Sequence, residues 1–459
     1  MSSTHKFETR NRVLFEEMPE KFRQVQPCPL ARLKPNPKNA RTHSRKQIEQ
    51  IANSMLRFSV TSPIIADEDG TIIAGHGRWL AAKRLGWTTF PVIIVSGLNG
   101  TEKRALALAD NKIASNAGWN AELLAKELGE LAPLLSECSL DISITGFAAA
   151  EIDALMIDNV DPEQDSLDQI VQPSSNAVSQ RNDIWKLGRH RLFCGDAGVE
   201  TDMRALMAED RAAMIFADPP YNVRVSSIQG RGKVRHREFA SASGEMTPEQ
   251  FTAFLKKFMR LAALFSHDGS IHFVCMDWRH IREMITASGD VYGELKNLVV
   301  WTKSNAGQGS FYRSQHELIF VFKNGEAPHQ NNIELGRYGR SRSNVWTYAG
   351  VNSFRKDRIA ELTVHPTVKP IALVTDAIRD CSSRGDIVLD PFMGSGTTIL
   401  AAERVGRIGY GMEIDPLYVD VAIRRWQDFT KRDAVLGGAE QTFEEVAALR
   451  KKTRRRVRA

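Results

Sequence analysis

At 459 residues the chain is too long for one average core, so two or three domains are expected. Its 42% hydrophobic and 25% charged residues are ordinary globular composition and exclude a disordered or fibrous protein. The net charge of +6 is concentrated in residues 450–458 (RKKTRRRVR), where seven of nine side chains are basic, leaving the remainder one unit negative.

In chain order, Ser44 and Gln47 open SRKQIEQIANSML with the spacing of a capping box, and Ile48, Ile51 and Met55 share one helical face. Two short apolar runs, PIIA (63–66) and TIIA (71–74), flank DEDG and predict a β-hairpin. Gly75-His76-Gly77-Arg78 comes next, then the helical WLAAKRLG and the apolar run PVIIV (91–95). Helical patterns cover 101–111, 120–135 and 146–157. Residues 158–180 (DNVDPEQDSLDQIVQPSSNAVSQ) are polar, carry two prolines and lack periodicity, which predicts a linker.

Beyond the linker, strands and helices alternate. AAMIFADPPY is a strand entering a turn, TPEQFTAFLKKFMRLAALF a helix, and SIHFVCM and ELIFVFK are strands. DIVLD, TTILAAERVG and IGYGMEI then form a strand–helix–strand unit. This alternation predicts a doubly wound α/β fold with a mostly parallel sheet and ligands at strand carboxyl ends, joined to a smaller α+β domain. The expected divisions are an extension over 1–26, a first domain with trailing helices over 27–157, the linker over 158–180, the large domain over 181–435 and a basic tail over 436–459. The tail reads as an arm for a polyanion or as a solvated end. A chain beginning near Asn176 is expected to fold alone.

No run of 18 apolar residues occurs, and the start MSSTHKFETRNR is no signal peptide, so neither membrane spanning nor secretion is expected. Five scattered cysteines (Cys28, Cys138, Cys194, Cys275, Cys381) form no CxxC pair. They argue for a reducing cytoplasm and against a disulfide framework or a cysteine zinc site, and no metal is expected.

Two motifs carry chemistry. Asp218-Pro219-Pro220-Tyr221 ends the strand AAMIFA. The exocyclic amine of adenine is a poor nucleophile, because its lone pair is delocalised into the ring. Acceptors for its N–H groups localise that pair, and the Asp218 carboxylate and the Pro219 carbonyl are such acceptors. The prolines stiffen the loop, and Tyr221 offers a face for stacking an extruded base. A rigid proline turn ending a strand is the plain alternative.

The second motif, residues 386–406, runs a strand to Asp390, a loop (Pro391, Phe392, Gly394, Ser395, Gly396) and a helix opened by Thr397 and Thr398. The glycines allow close approach to a ligand, as in the first turn of a dinucleotide fold. Neither a GKS/GKT P-loop nor the G-x-G-x-x-G spacing is present. Glu413, 23 residues after Asp390, stands where an acid would hold ribose hydroxyls. A nucleoside without a pyrophosphate fits best. S-adenosylmethionine is one, and its methyl is the electrophile that the first motif needs.

DPPY, then HPTVKP (365–370), then DPFMGSGTT (390–398) resembles a DNA amino-methyltransferase of the beta arrangement, across roughly residues 181–430. The resemblance implies a Rossmann-like fold, S-adenosylmethionine as cofactor and double-stranded DNA as partner. It implies that Asp218, Pro219, Pro220 and Tyr221 handle the base, with Asp390, Phe392, Gly394 and Gly396 lining the cofactor pocket and Glu413 on its ribose. His365, Pro366 and Lys369 resemble the segment that closes over the methionine end. Between the motifs, Arg224, Arg231, Lys233, Arg235 and Arg237, and separately Arg337, Arg340 and Arg342, crowd Gly/Ser-bearing segments that read as phosphate-contacting or solvated loops.

Residues 27–115 resemble the ParB-like nuclease or nucleotide-binding domain of plasmid partition proteins, on the hairpin, GHGRWLAAKRLG and ALADNK (107–112). Gly75, His76, Gly77 and Arg78 at a helix start form a candidate anion or nucleotide site, with a plain glycine turn as the alternative. The reading is therefore a cytoplasmic DNA methyltransferase acting on adenine N6, in a bacterial, phage or mobile-element setting, with a homodimer as one assembly it allows. N4-cytosine methylation and a non-catalytic ParB-like partition regulator are the alternatives.

Overall fold

The computed structural model describes residues 24–138, 140, 142–155, 166–168, 176–223, 244–304, 311–333, 341–349 and 369–458. Two compact units divide the chain: 1–127 with 138–148, and 128–137 with 149–459.

In the first unit the helix Arg45–Phe58 starts where the capping spacing places it, with the Ser44 hydroxyl accepting from the Gln47 N–H. The hairpin forms as β2 (Ile64–Asp67) against β3 (Ile72–Ala74). With β1 (Val25–Pro29) and β4 (Thr89–Val95) it makes a sheet of order β1-β4-β2-β3. Ile64, Ile72, Phe90 and Val92 of the sheet and Met55, Trp79, Ala81 and Ala82 of the helices fill its core.

The second unit holds an eleven-stranded sheet. Its strands are β5 (Ile184–Leu187), β6 (His190–Cys194), β7 (Ala212–Ala217), β8 (Ser266–Met276), β9 (Glu294–Thr302), β10 (His316–Lys323), β11 (Val345–Thr347), β12 (Ile387–Asp390), β13 (Ile408–Glu413), β14 (Val435–Leu436) and β15 (Gln441–Thr442). Their order is β11-β9-β10-β8-β7-β12-β13-β6-β5-β14-β15. The pairings β8–β7, β7–β12, β12–β13 and β13–β6 are parallel, and β10 runs antiparallel to both β8 and β9. Two apolar clusters cover the two faces, which is the doubly wound arrangement expected of alternating elements. Because β10 is reversed, its first residues lie at the same edge as the carboxyl ends of β7, β8, β9, β12 and β13.

The expected linker is anchored wherever it is described. The Asp168 carboxylate accepts from the Ile371 N–H, Arg425 donates to the Leu167 carbonyl, and the Val178 and Ser179 N–H groups donate to Asp420. Residues 149–155, expected with the first domain, belong to the second unit. The expected basic tail is also a correction. β14 and β15 extend the sheet, and the helix Phe443–Arg458 buries Phe443 and Val446, with Phe443 packed on Trp185. Arg450 pairs with Asp183 and donates to the Val178 carbonyl, so it closes the fold instead of reaching for a polyanion. Charge density hid the apolar face of FEEVAAL.

Candidate active site

The carboxyl ends of β7, β12 and β13 place Asp218, Asp390 and Glu413 on neighbouring strands. Asp218 sits in a partly buried charged cluster. The Lys369 ammonium, 4% exposed, lies 2.6 Å from Asp218 Oδ2 and 3.0 Å from Glu317 Oε2. The Tyr221 hydroxyl lies 2.7 Å from Asp218 Oδ1 and 3.1 Å from Glu317 Oε2, and Lys303 pairs with Glu317 Oε1. Lys369 also stands over the Tyr221 and Trp301 rings.

Burial pushes the Asp218 carboxyl up, and the Glu317 charge adds to this against the opposing pull of Lys369. Burial pushes Glu317 up as well, but Lys369 and Lys303 outweigh it and bring its carboxyl down to about 2. Burial would lower Lys369; Asp218 and Glu317 outweigh it and hold the ammonium above its ordinary value.

Beyond the tyrosine, Asn222 has a left-handed backbone. Its side-chain oxygen accepts from the Gly244 and Met246 N–H groups, and its amide donates to the Met246 carbonyl. It thereby ties the turn to the start of the helix Pro248–Leu264.

In the second motif, Asp390 accepts from the Phe392 N–H and from the Thr398 hydroxyl. Glu413 accepts from the Gly394 and Asp415 N–H groups. Burial pushes both carboxyls up to about 7. Gly394 and Gly396 both have positive φ but serve different needs. A Cβ on Gly396 would stand 2.8 Å from Ala422 Cβ, so this glycine lets the helix Pro416–Thr430 pack closely; a Cβ on Gly394 would meet only the Phe392 carbonyl, at 4.0 Å. Ser395 is held through its carbonyl and hydroxyl by Arg425. Phe392, half-buried, packs edge-on against Phe258 and offers an aromatic wall. Thr397 is buried at the start of its helix and Pro391 is buried in the loop.

These groups fit a nucleoside. Glu413 is a half-buried carboxylate with lone pairs to spare for hydroxyl donors, beside a glycine turn open to close approach and an aromatic ring.

Of the other expected residues, Arg342 is a correction. It is largely buried, donates to Asp376, Asp380 and the Tyr348 hydroxyl, and stacks on Trp346, so its charge is spent inside the fold. Lys369, expected at the cofactor, contacts Asp218. His365, Pro366, Arg224, Arg231, Lys233, Arg235, Arg237, Arg337 and Arg340 lie outside the described residues. In the first unit, His76 is buried and accepts the Asn36 N–H, and the Arg78 guanidinium donates to the Pro63 carbonyl. Gly75 caps the helix His76–Arg84 in a left-handed conformation, with no side chain capping its N–H groups.

Glu317 and Lys303 went unnoticed in the sequence. Their signal was a charged residue at each end of an apolar strand pair, LVVWTK and HELIFVF. Phe311 and Tyr312, between those strands, were missed as well; they are 85% and 82% exposed and pack edge to face.

Residues 212–424 match the DNA methylase family, residues 16–112 the ParB N-terminal domain, and residues 122–181 the ParB-methyltransferase HTH domain. The chain is 47% identical over 76 residues to the ParB-like nuclease domain-containing protein YnaK of Escherichia coli, spanning 17% of this chain and 87% of that protein. The chain joins a ParB N-terminal domain to a DNA methylase domain. The methylase domain is 28% identical over 228 residues to the type II methyltransferase M2.DpnII of Streptococcus pneumoniae, covering 48% of this chain and 84% of that one. A crystal structure of the M1.HpyAVI–SAM complex aligns with 51% of this chain and 97% of its own, at 20% identity and TM-score 0.39. By its family match the methylase domain is a DNA methyltransferase of the N6/N4 amine type, and Asp218, Asp390 and Glu413 all fall inside its matched range. The ParB domain contains the hairpin and the Gly75–Arg78 turn. Among the described residues no helix is long and apolar enough to cross a membrane.

Proposed function

We propose that the chain methylates the exocyclic N6 amine of adenine in double-stranded DNA, using S-adenosylmethionine. The observation that supports it most is the placing of Asp218, Asp390 and Glu413 at the carboxyl ends of the adjacent strands β7, β12 and β13. S-adenosylmethionine, when bound, supplies a methyl group activated by a positive sulfur. Glu413 holds the ribose hydroxyls, Phe392 flanks the base of the cofactor, and the Gly394 turn lets its backbone approach. Asp218 and the Pro219 carbonyl accept the two N–H bonds of the target amine, which frees the nitrogen lone pair for the methyl group. Aspartate at the head of DPPY favours adenine, since serine is common there in cytosine-amine enzymes. Identifying the methylated nucleoside in DNA from cells expressing the protein decides this: N6-methyladenine supports it and N4-methylcytosine overturns it.

Because the Glu413 carboxyl stands at about 7, cofactor affinity should depend on pH. A hydroxyl donor favours the ionised carboxylate, so affinity holds above pH 7 and falls below it. One linked proton weakens binding by up to about tenfold per pH unit. Calorimetric titration across pH 5.5–8.5 checks this, and a flat profile would remove Glu413 from the ribose.

The exposed pair Phe311–Tyr312 gives the enzyme a stacking surface for unpaired bases. Alanine at both positions should weaken binding of duplex DNA by about 1–3 kcal/mol per lost stack and leave cofactor affinity unchanged. Unchanged DNA affinity in a filter-binding or anisotropy assay would exclude the pair. In the ParB domain, the uncapped helix start at Gly75–Arg78 supports binding of an anion such as a nucleotide phosphate.

A further inference from the structure

We propose that Lys369, held by Glu317, is a positioning residue for methyl transfer that keeps Asp218 ionised and oriented toward the target amine. This rests on the reading of Asp218 as the amine's acceptor and adds a residue pair to it.

The geometry accounts for every Lys369 hydrogen. An ammonium has three N–H bonds. Here they reach Asp218 Oδ2 at 2.6 Å, Glu317 Oε2 at 3.0 Å and the Tyr221 hydroxyl oxygen at 3.3 Å. Lys303 closes the other side of Glu317, so two carboxylates face two ammonium groups and the partly buried cluster is neutral overall. The Asp218 carboxylate receives one bond at each oxygen from inside the fold. Each oxygen has two acceptor directions, so capacity remains for the incoming N–H.

The groups facing Asp218 come from every neighbouring element: Tyr221 from its own turn, Cys275 from β8, Lys303 beyond β9, Glu317 from β10, Asp390 from β12 and Lys369 itself. Among them Lys369 is the cation that touches Asp218. Without it, Asp218 would keep the Tyr221 hydroxyl and face Glu317, with Lys303 still on the far side of Glu317, so burial and the neighbouring charge would push its carboxyl further up. A protonated Asp218 is a poor acceptor for the amine. The charges on Lys369 and Glu317 therefore act on Asp218 in opposite directions.

The test uses the full chain, S-adenosylmethionine and a duplex that the wild type methylates, with single-turnover rates measured against pH. Lys369→Met should lose about 100-fold at pH 7 and recover as pH rises, its inflection moving up by about one unit or more. Lys369→Arg, which keeps the charge, should hold the wild-type inflection. Glu317→Gln, which removes the charge that pushes Asp218 up, should move the inflection down. If Lys369→Met does not fold, Glu317→Gln alone decides through that downward shift. Cofactor affinity, measured by calorimetry, should stay within a few-fold of wild type in each folded variant. Profiles parallel to wild type in both substitutions overturn the inference while leaving the methyltransferase reading intact. A wild type that methylates no DNA amine overturns both.

Discussion

Asp218→Ala should reduce methyl transfer by about 100-fold or more, because a positioned group that acts on the reacting atom contributes at least that much. Cofactor affinity should remain close to wild type. The two effects separate because Asp218 ends β7, whereas the groups assigned to the cofactor lie on β12, β13 and the turn between β12 and the helix Thr397–Arg404. The substitution also leaves Lys369 with Glu317 as its one carboxylate, and the pair Glu317–Lys303 keeps that ammonium compensated. The variant should therefore fold. Transfer rates from single-turnover assays, set beside calorimetric binding of S-adenosylmethionine, check both halves. A variant that keeps more than about a tenth of the wild-type rate would take Asp218 out of the chemistry.

The parts of this site that were legible in the sequence are the parts contained in one contiguous stretch. DPPY follows a strand directly, and Asp390, the glycine turn and Glu413 belong to one strand–helix–strand unit whose spacing reveals its geometry. The Lys369–Glu317–Lys303 cluster is different. It exists because the sheet sets β10 beside β8, two places from β7, with the chain reversed, and strand order cannot be read from a single strand. β9 escaped notice for a related reason: its first half, ELKN, is exposed and charged, so alternation sets in only at LVVWT. Arg342 misled because a cation in a Gly/Ser-rich run looks like a phosphate contact. Its partners Asp376 and Asp380 stand four residues apart on the helix Ile371–Cys381 and reach it only once the fold is made.

The same limit applies to the boundary of the methylase domain, where the largest stability effect is expected. Asp153, on the helix Ala149–Leu155, makes a bidentate pair with Arg407 at 2.7 and 2.8 Å, and Arg407 is fully buried. Arg384 and Arg379 face the same carboxylate at 3.5 and 4.0 Å. Three guanidinium groups thus share one buried anion. Removing it takes the carboxylate from the fully buried Arg407, although Arg379 keeps Asp376 at 3.8 Å, and breaking a buried pair from one side costs about 3–5 kcal/mol. Asp153→Asn, which preserves shape, should therefore lower the melting temperature by roughly 6–10 °C. Glu200→Ala, which breaks the exposed Glu200–Arg204 pair, should cost about 0.5 kcal/mol or less. A chain beginning at Asn176 lacks Asp153 together with the Leu167 and Asp168 anchors, but it keeps Arg407, Arg425 and Ile371, which those groups satisfy. It should melt well below a chain beginning at Ala121, against the independence that the polar 158–180 segment suggested. Thermal denaturation of the two truncated chains and of Asp153→Asn makes the comparison. An Asp153→Asn protein that melts with the wild type would show that Arg407 finds another partner and that the methylase domain does begin after residue 176.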